Sequence, residues 1–168
     1  MLDATVRSHL PATKREPDVV VYLPGPPKGK GAPRAGILKA NPAKGRFQDR
    51  AMAFQDTSTR SYEAEVKFAG EKAMAGRSVF AECMLRCRLT AVFAVPPSKS
   101  GRFREQALGG ILRPIVKPDD DNLLKIRDAL KGIVFHDDNL FVESVVRKFY
   151  GANPCWQFEC WVITGLLF

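Results

Sequence analysis

The sequence predicts an α+β domain: a mixed β-sheet of about four or five strands with two main helices packed on it. Three observations carry that expectation. Residues 80–95 alternate, with Cys83, Leu85, Cys87, Leu89, Ala91 and Phe93 on one face and Arg86, Arg88 and Thr90 on the other, as in a half-buried strand. Residues 59–75 place Tyr62, Val66, Ala69 and Ala73 at helical spacing with charges between them. Two strand-forming runs, 140–149 and 155–163, close the chain. With 168 residues, 45% of them hydrophobic, the chain can bury one core without disulfide staples.

The elements follow in order. Residues 1–17 are polar and mixed in charge and read as a flexible leader, leaving 18–168 as the domain. DVVVYLPG is a β-branched run ending in Pro-Gly, a strand and a turn. From Pro26 to Arg50 glycine and proline recur throughout, so no regular element is expected. That stretch holds Lys28, Lys30, Arg34, Lys39, Lys44, Arg46 and Arg50 against one acid, Asp49. The first helix and the alternating strand come next, and PPSKSGRFREQALGG reads as a second basic connection. In NLLKIRDALKG the apolar stripe Leu123, Ile126 and Leu130 predicts a second helix, with Gly132 as its C-terminal stop.

Charge and cysteine use narrow the function classes. The net charge of +8, with a pI near 9.5, points to phosphate-rich polymers or anionic surfaces as partners. No apolar run approaches the roughly 18 residues of a membrane span, and the N-terminus lacks a signal-peptide core, so a cytoplasmic protein is expected. Cys83, Cys87, Cys155 and Cys160 stand in CxxxC and CxxxxC spacings within strand-like segments, which suits structural thiols better than zinc. KGKGAPR lacks the phosphate-loop pattern, so no nucleotide cofactor is expected.

The chemistry concentrates in KPDDDNLLK, residues 117–125. In extended chain Asp119 and Asp121 share a face and Asp120 points away, where it serves as a helix cap or a solvated charge. Two carboxylates on one side suit a hard divalent cation such as Mg²⁺. Lys125, four residues after Asp121, reads equally as a salt-bridge partner or as a cation placed to neutralise a phosphate. A second acidic pair, Asp137 and Asp138, follows in VFHDDN. A helix over 122–131 advances roughly 15 Å and an extended 133–138 returns roughly 20 Å, so a turn at Gly132 could set Asp138 beside Asp121. His136 and His9 read as structural and uninformative, and no serine has a credible base partner. A DxD pair for a nucleotide-sugar needs a nucleotide-binding α/β pattern that this chain lacks.

KPDDDNLLKIRDALKGIVFHDDNLFVESVVRK resembles the core signature of the RusA family of Holliday junction resolvases, and PGPPKGKGAPR with the helix near SYEAEV is similar to the family's N-terminal half. The resemblance spans roughly 19–163 and implies a RusA-like endonuclease domain, a homodimer, and symmetric nicking of four-way DNA junctions with Mg²⁺, for which Mn²⁺ can substitute. It implies Asp119, Asp121 and Asp138 as acidic metal ligands, Lys125 as the catalytic lysine, and products with 5′-phosphate and 3′-hydroxyl ends. The family's occurrence on prophages makes a phage or prophage origin one expectation beside a nucleoid-associated host enzyme. Two departures stand out: Asp120 occupies a position the family usually leaves uncharged, and the basic loop is long. Phosphate contacts are expected from Lys28, Lys30, Arg34, Lys44, Arg46, Arg86 and Arg88. Two other functions fit the charge: a branched-DNA-binding dimer that does not cut, and a metal-dependent nuclease of flaps or single strands.

Overall fold

In the computed structural model, which describes residues 15–31, 34–54 and 56–163, a four-stranded sheet runs in the order β1-β6-β4-β5. Its strands are β1 (Val19–Pro24), β4 (Leu85–Phe93), β5 (Phe141–Tyr150) and β6 (Cys155–Val162). β6 pairs antiparallel with both β1 and β4, while β4 and β5 run parallel. A parallel pair cannot be joined by a hairpin, so everything between Phe93 and Phe141 forms a long crossover. The acidic segment lies inside it.

β1 forms as expected and alternates: Val19, Val21 and Leu23 are buried and Val20 and Pro24 are exposed. Helix α1 (Thr57–Met74) starts where the Asp56 carboxylate accepts from the Ser58 amide at 3.2 Å. Its buried stripe is Tyr62, Val66, Gly70 and Met74, rotated slightly from the expected one. The stripe packs on β1 and on the segment Lys125–Leu130. Gly70 makes the second contact possible, because a Cβ there would lie 2.6 Å from Leu130 Cδ2.

β4 is more enclosed than a half-buried strand. Cys87, Leu89 and Ala91 face the main core, yet Thr90 and Val92 are also buried, Val92 against Phe149, Cys155 and Tyr22. All four cysteines are free thiols, and three of them are buried. Burial pushes the Cys160 thiol up to about 12, in keeping with a structural role.

Three expectations about local structure are corrected. The stretch after Pro26 does contain regular structure: β2 (Arg34–Leu38) and β3 (Arg50–Phe54) pair antiparallel as a separate two-stranded sheet. The basic connection after Pro97 contains helix α2 (Gly101–Leu108), capped by Ser100, whose hydroxyl accepts from the Phe103 amide at 3.3 Å. Ala107 buries, and Phe103 meets Tyr150 edge-on with ring centroids 5.9 Å apart. The helix expected over 122–131 starts earlier and changes type: α3 (Asp120–Leu124) is a short α-helix that continues as a 3₁₀ segment, Lys125–Leu130. Leu123, Ile126 and Leu130 are fully buried as expected, and Gly132 turns the chain at φ 78°.

Most of the expected leader, residues 1–14, lies outside the described residues. Arg15 is tied to the sheet: its guanidinium donates to Val162 O at 3.0 Å and Asp18 at 2.8 Å, and its own carbonyl accepts from Trp161 Nε1.

Candidate active site

The acidic turn is built by capping. Asp119 has extended backbone and is the N-cap of α3: one carboxylate oxygen accepts from the Asn122 amide at 2.8 Å and the other from Asn122 Nδ2 at 3.1 Å. Asp120 and Asp121 form the first helical turn, where the helix dipole favours negative charge. This corrects the expected geometry. Asp119 and Asp121 do not share one face of an extended strand, and the capping carboxylate is that of Asp119, not Asp120.

Lys125 Nζ donates to Asp121 at 2.5 Å. The Asp121 hydrogen bond and charge raise the lysine's pKa, with smaller contributions from Asp119 and Asp128. Lys125 is therefore held as an ammonium in the field of three carboxylates. A second group stands beside it. Lys131 donates to Asp137 at 2.9 Å and is raised chiefly by that bond, with Asp138 and Asp128 adding charge. The Lys131 bond, followed by hydrogen bonds from Asp138, holds the Asp137 carboxyl well below the usual carboxylate range. Asp128 acts on both lysines and so links the two groups.

The basic loop closes against this turn. Lys30 N donates to Asn122 O at 2.8 Å, and Lys30 Nζ pairs with Glu63 at 3.2 Å and Asp128 at 3.4 Å. Burial pulls the Lys30 pKa down, but the two carboxylates outweigh it and the net shift is upward. Between these contacts Gly29 touches Pro118 and Asn122, where a Cβ would come within 2.5 Å of Pro118 Cβ. From the far side Lys148 Nζ donates to the carbonyls of Val116 at 2.7 Å and Pro118 at 3.0 Å. The turn is thus a ridge pinned from both flanks. A groove of about 480 Å³ lies toward Lys28, Gly29 and the start of α1, and another of about 660 Å³ lies toward β5.

The expected site residues are distributed unevenly. Asp119, Asp121 and Lys125 are brought together. Asp138 opens a separate 3₁₀ turn, Asp138–Leu140, and lies with Lys131. Among the described residues no group of three His, Cys, Asp or Glu converges enough to hold a metal ion. The donor chemistry nevertheless fits a hard cation. Asp119 and Asp121 are exposed carboxylates on one turn, and Mg²⁺ commonly takes only one or two carboxylates and keeps its waters.

Of the expected DNA contacts, Lys28 is exposed, 5.5 Å from the Tyr62 ring centroid. Lys44 is exposed on the turn that Asn41 and the half-buried Arg46 close. Arg34 starts β2, and its side chain lies outside the described set. Lys30 is engaged by Glu63 and Asp128. Arg86 and Arg88 are engaged within the sheet: Arg86 pairs with Glu143 at 2.6 Å, and Arg88 makes two bonds to Glu159, at 2.6 and 3.0 Å, beneath the Trp161 ring. Both acids sit opposite their arginines in the strand register, so these pairs hold the sheet. Sequence reasoning missed Glu63, Lys131 and Lys148, while it placed Asp128 on one polar face with Asp121 and Lys125. The spacing from Asp121 through Lys125 to Asp128 (i, i+4, i+7) was the signal for that face.

Comparison with known proteins adds three findings. A family model described as endodeoxyribonuclease RusA matches residues 24–157, most of the chain. The uncharacterized protein YqaN of Bacillus subtilis (strain 168) is 43% identical over 58 residues, which make up 34% of this chain and 41% of that relative, so less than half of the relative's length is matched. No solved structure matches.

Proposed function

This chain belongs to the RusA endodeoxyribonuclease family, and from that membership we propose that it resolves four-way DNA junctions by symmetric, Mg²⁺-dependent phosphodiester hydrolysis. Asp119 and Asp121 are the metal-holding carboxylates, with Asp138 joining them when substrate is bound. When bound there, the cation supplies a water of lowered pKa and stabilises charge on the phosphate. The reaction adds water to phosphorus and releases the 3′ oxygen, leaving 5′-phosphate and 3′-hydroxyl ends.

The observation that carries this reading is Lys125. Asp121 raises its pKa and binds it directly, so near neutral pH it meets the substrate as a cation and not as a base. Its work is to neutralise the phosphate as negative charge builds. A simple solvated helix start needs no lysine bound to one carboxylate in the field of two more. The pinned Lys28–Gly31 loop sets one wall of the substrate path, and Lys28, Arg34, Lys44 and Arg46 contact phosphates without reading sequence. Lys30, Arg86 and Arg88 support the frame. A two-fold dimer would present two such sites to a junction of the same symmetry. The enzyme works in the cytoplasm on host or phage recombination intermediates. No helix among the described residues is long and apolar enough to cross a membrane.

The test is cleavage of a mobile four-way junction beside a linear duplex of equal length, with Mg²⁺ and with EDTA. Paired nicks at the crossover, on the junction alone and with metal alone, are expected. Asp121→Asn should abolish them and leave junction binding intact. Full cleavage by that variant would sink the site assignment, and wild-type binding without nicks would favour a non-cutting branched-DNA protein.

A further inference from the structure

Asp128 has no step of its own in the proposed reaction, yet three parts of the chain meet at it. Its place is set by the winding of Lys125–Leu130. This segment is a 3₁₀ helix of six residues, where runs beyond three or four are uncommon. At three residues per turn, side chains three apart stand over one another. Ile126 and Ala129 make one such row and are buried, as is Leu130. Lys125 and Asp128 make another, and both are exposed. An α-helical winding would stagger that pair by about 60° around the axis. The tighter winding keeps the apolar row in the core and sets a carboxylate directly over the lysine that follows the acidic turn.

Three lysines share this carboxylate. Lys30 Nζ donates to Asp128 Oδ2 at 3.4 Å. The Asp128 charge also reaches Lys125, whose main partner is Asp121, and Lys131, whose main partner is Asp137. Lys30 brings the basic loop with it. Its amide donates to Asn122 O on the acidic turn at 2.8 Å, and its ammonium also pairs with Glu63 on α1 at 3.2 Å. Each lysine thus has another carboxylate close by, so Asp128 is not needed to neutralise any one of them. Exposed ion pairs add little stability. A carboxylate on a surface that meets phosphate also repels the substrate. What Asp128 supplies is a common point of attachment for the loop, the Lys125 row and the turn at Lys131.

We propose that Asp128 is a positioning residue for strand cleavage: from the 3₁₀ row it holds the Lys125 ammonium and the Lys30 loop in register with the acidic turn, touching neither the substrate nor the cation. The inference rests on the junction-cleaving reading for its reaction. It adds that this carboxylate weakens DNA binding and raises the rate, two effects of opposite sign.

The test compares full-length wild type with Asp128→Asn, which keeps the shape and removes the charge, and with Asp128→Glu, which keeps the charge. The side chain is exposed, so both variants should keep the wild-type urea midpoint. Without DNA or metal, exchange of the Lys30 amide should quicken about fivefold in Asp128→Asn, as the loop loses one hold. In EDTA that variant should bind a four-way junction about two- to threefold more tightly, because one repelling charge is gone. With saturating protein and Mg²⁺ it should cut about tenfold more slowly in a single turnover. Asp128→Glu should return most of the rate and the wild-type affinity. General damage to the fold would weaken binding and cutting together, and that result would overturn the proposal. An unchanged rate or unchanged Lys30 exchange in Asp128→Asn would overturn it too, as would Asp128→Glu cutting no faster than Asp128→Asn. A rise of about tenfold in the half-saturating Mg²⁺ concentration would make Asp128 a ligand and equally overturn it. Failure of the junction-cleaving reading shows separately, as wild type that leaves junctions uncut, and the metal-free exchange then still decides whether Asp128 holds the loop.

Discussion

Gly29→Ala should damage catalysis from a position that carries no chemistry. An added Cβ would lie 2.5 Å from Pro118 Cβ and 3.0 Å from Asn122 Cβ, whereas ordinary contact begins at 3.4 Å. The shortfall of about 0.9 Å must be relieved by movement. If the loop retreats, the 2.8 Å bond from Lys30 N to Asn122 O stretches and the Lys30 pairs with Glu63 and Asp128 loosen. If the turn retreats, Pro118 carries Asp119 with it. Overpacking of this kind costs roughly 1–3 kcal/mol. The lost glycine freedom in the unfolded chain returns about 0.4–1 kcal/mol. The net expectation is a destabilisation of about 1–2 kcal/mol. The effect on rate should be larger, about 10- to 100-fold, because a shift of about 1 Å in a reacting group is enough for that. The control sits two residues away: a Cβ on Gly31 meets nothing within 4 Å, so Gly31→Ala should match or slightly exceed wild type in stability and keep its rate. Urea midpoints at constant slope and single-turnover cleavage of a labelled junction make the measurement. Gly29→Ala with the midpoint and rate of Gly31→Ala would refute the claim that this loop positions the acidic turn.

Two other perturbations follow from the electrostatics. Glu159→Gln removes the anion that Arg88 pairs with twice, where the side chains are only 11% and 9% exposed, and should destabilise by about 3 kcal/mol in urea unfolding. Replacing both partners with apolar residues (Arg88→Met with Glu159→Leu) should cost far less, and equal losses would contradict the pairing argument. Asp137 has a depressed folded pKa, so its contribution is present above the unfolded value of about 3.9 and disappears as pH falls through the folded one. A carboxyl NMR titration should find it ionised where other aspartates protonate. Lys131→Met should bring it back toward them, and an unmoved titration in that variant would remove Lys131 as the cause.

Alternation made β4 legible and helical spacing the first helix, while β-branched and aromatic runs marked β1, β5 and β6, of which β6 is buried on both faces. Where burial is slight, the signal fades. Only Ala107 of α2 is buried, its basic residues resemble a linker, and the Ser100 cap with Phe103 and Ala107 four apart was the remaining sign. The β2–β3 hairpin is paired through a glycine- and alanine-rich stretch with Ile37 and Met52 exposed, so no alternation marks it. The acidic turn was legible as a chemical centre but not as a geometry. The cap went to Asp119 because Asn122 offers both its amide and its side chain to that carboxylate. The path of Asp138 depended on a 3₁₀ segment, which rises faster and turns more tightly than the α-helix assumed. Glu63 and Lys148 reach the site from the first helix and the edge strand, and no local pattern encodes a contact across such separations.

The parallel pairing of β4 and β5 has a thermodynamic consequence. Among the described residues β5 has one neighbour, and the chain that delivers it to that neighbour is the crossover carrying Asp119, Lys125 and Lys131. Lys148 on β5 donates to the carbonyls of Val116 and Pro118, so detaching β5 also breaks two bonds that hold the ridge. By linkage, whatever binds the ridge must tighten the edge of the sheet: a ligand at about one hundred times its Kd adds about 2.7 kcal/mol against that opening. Amide exchange along β5, well away from any bound phosphate, would then report occupancy of the turn.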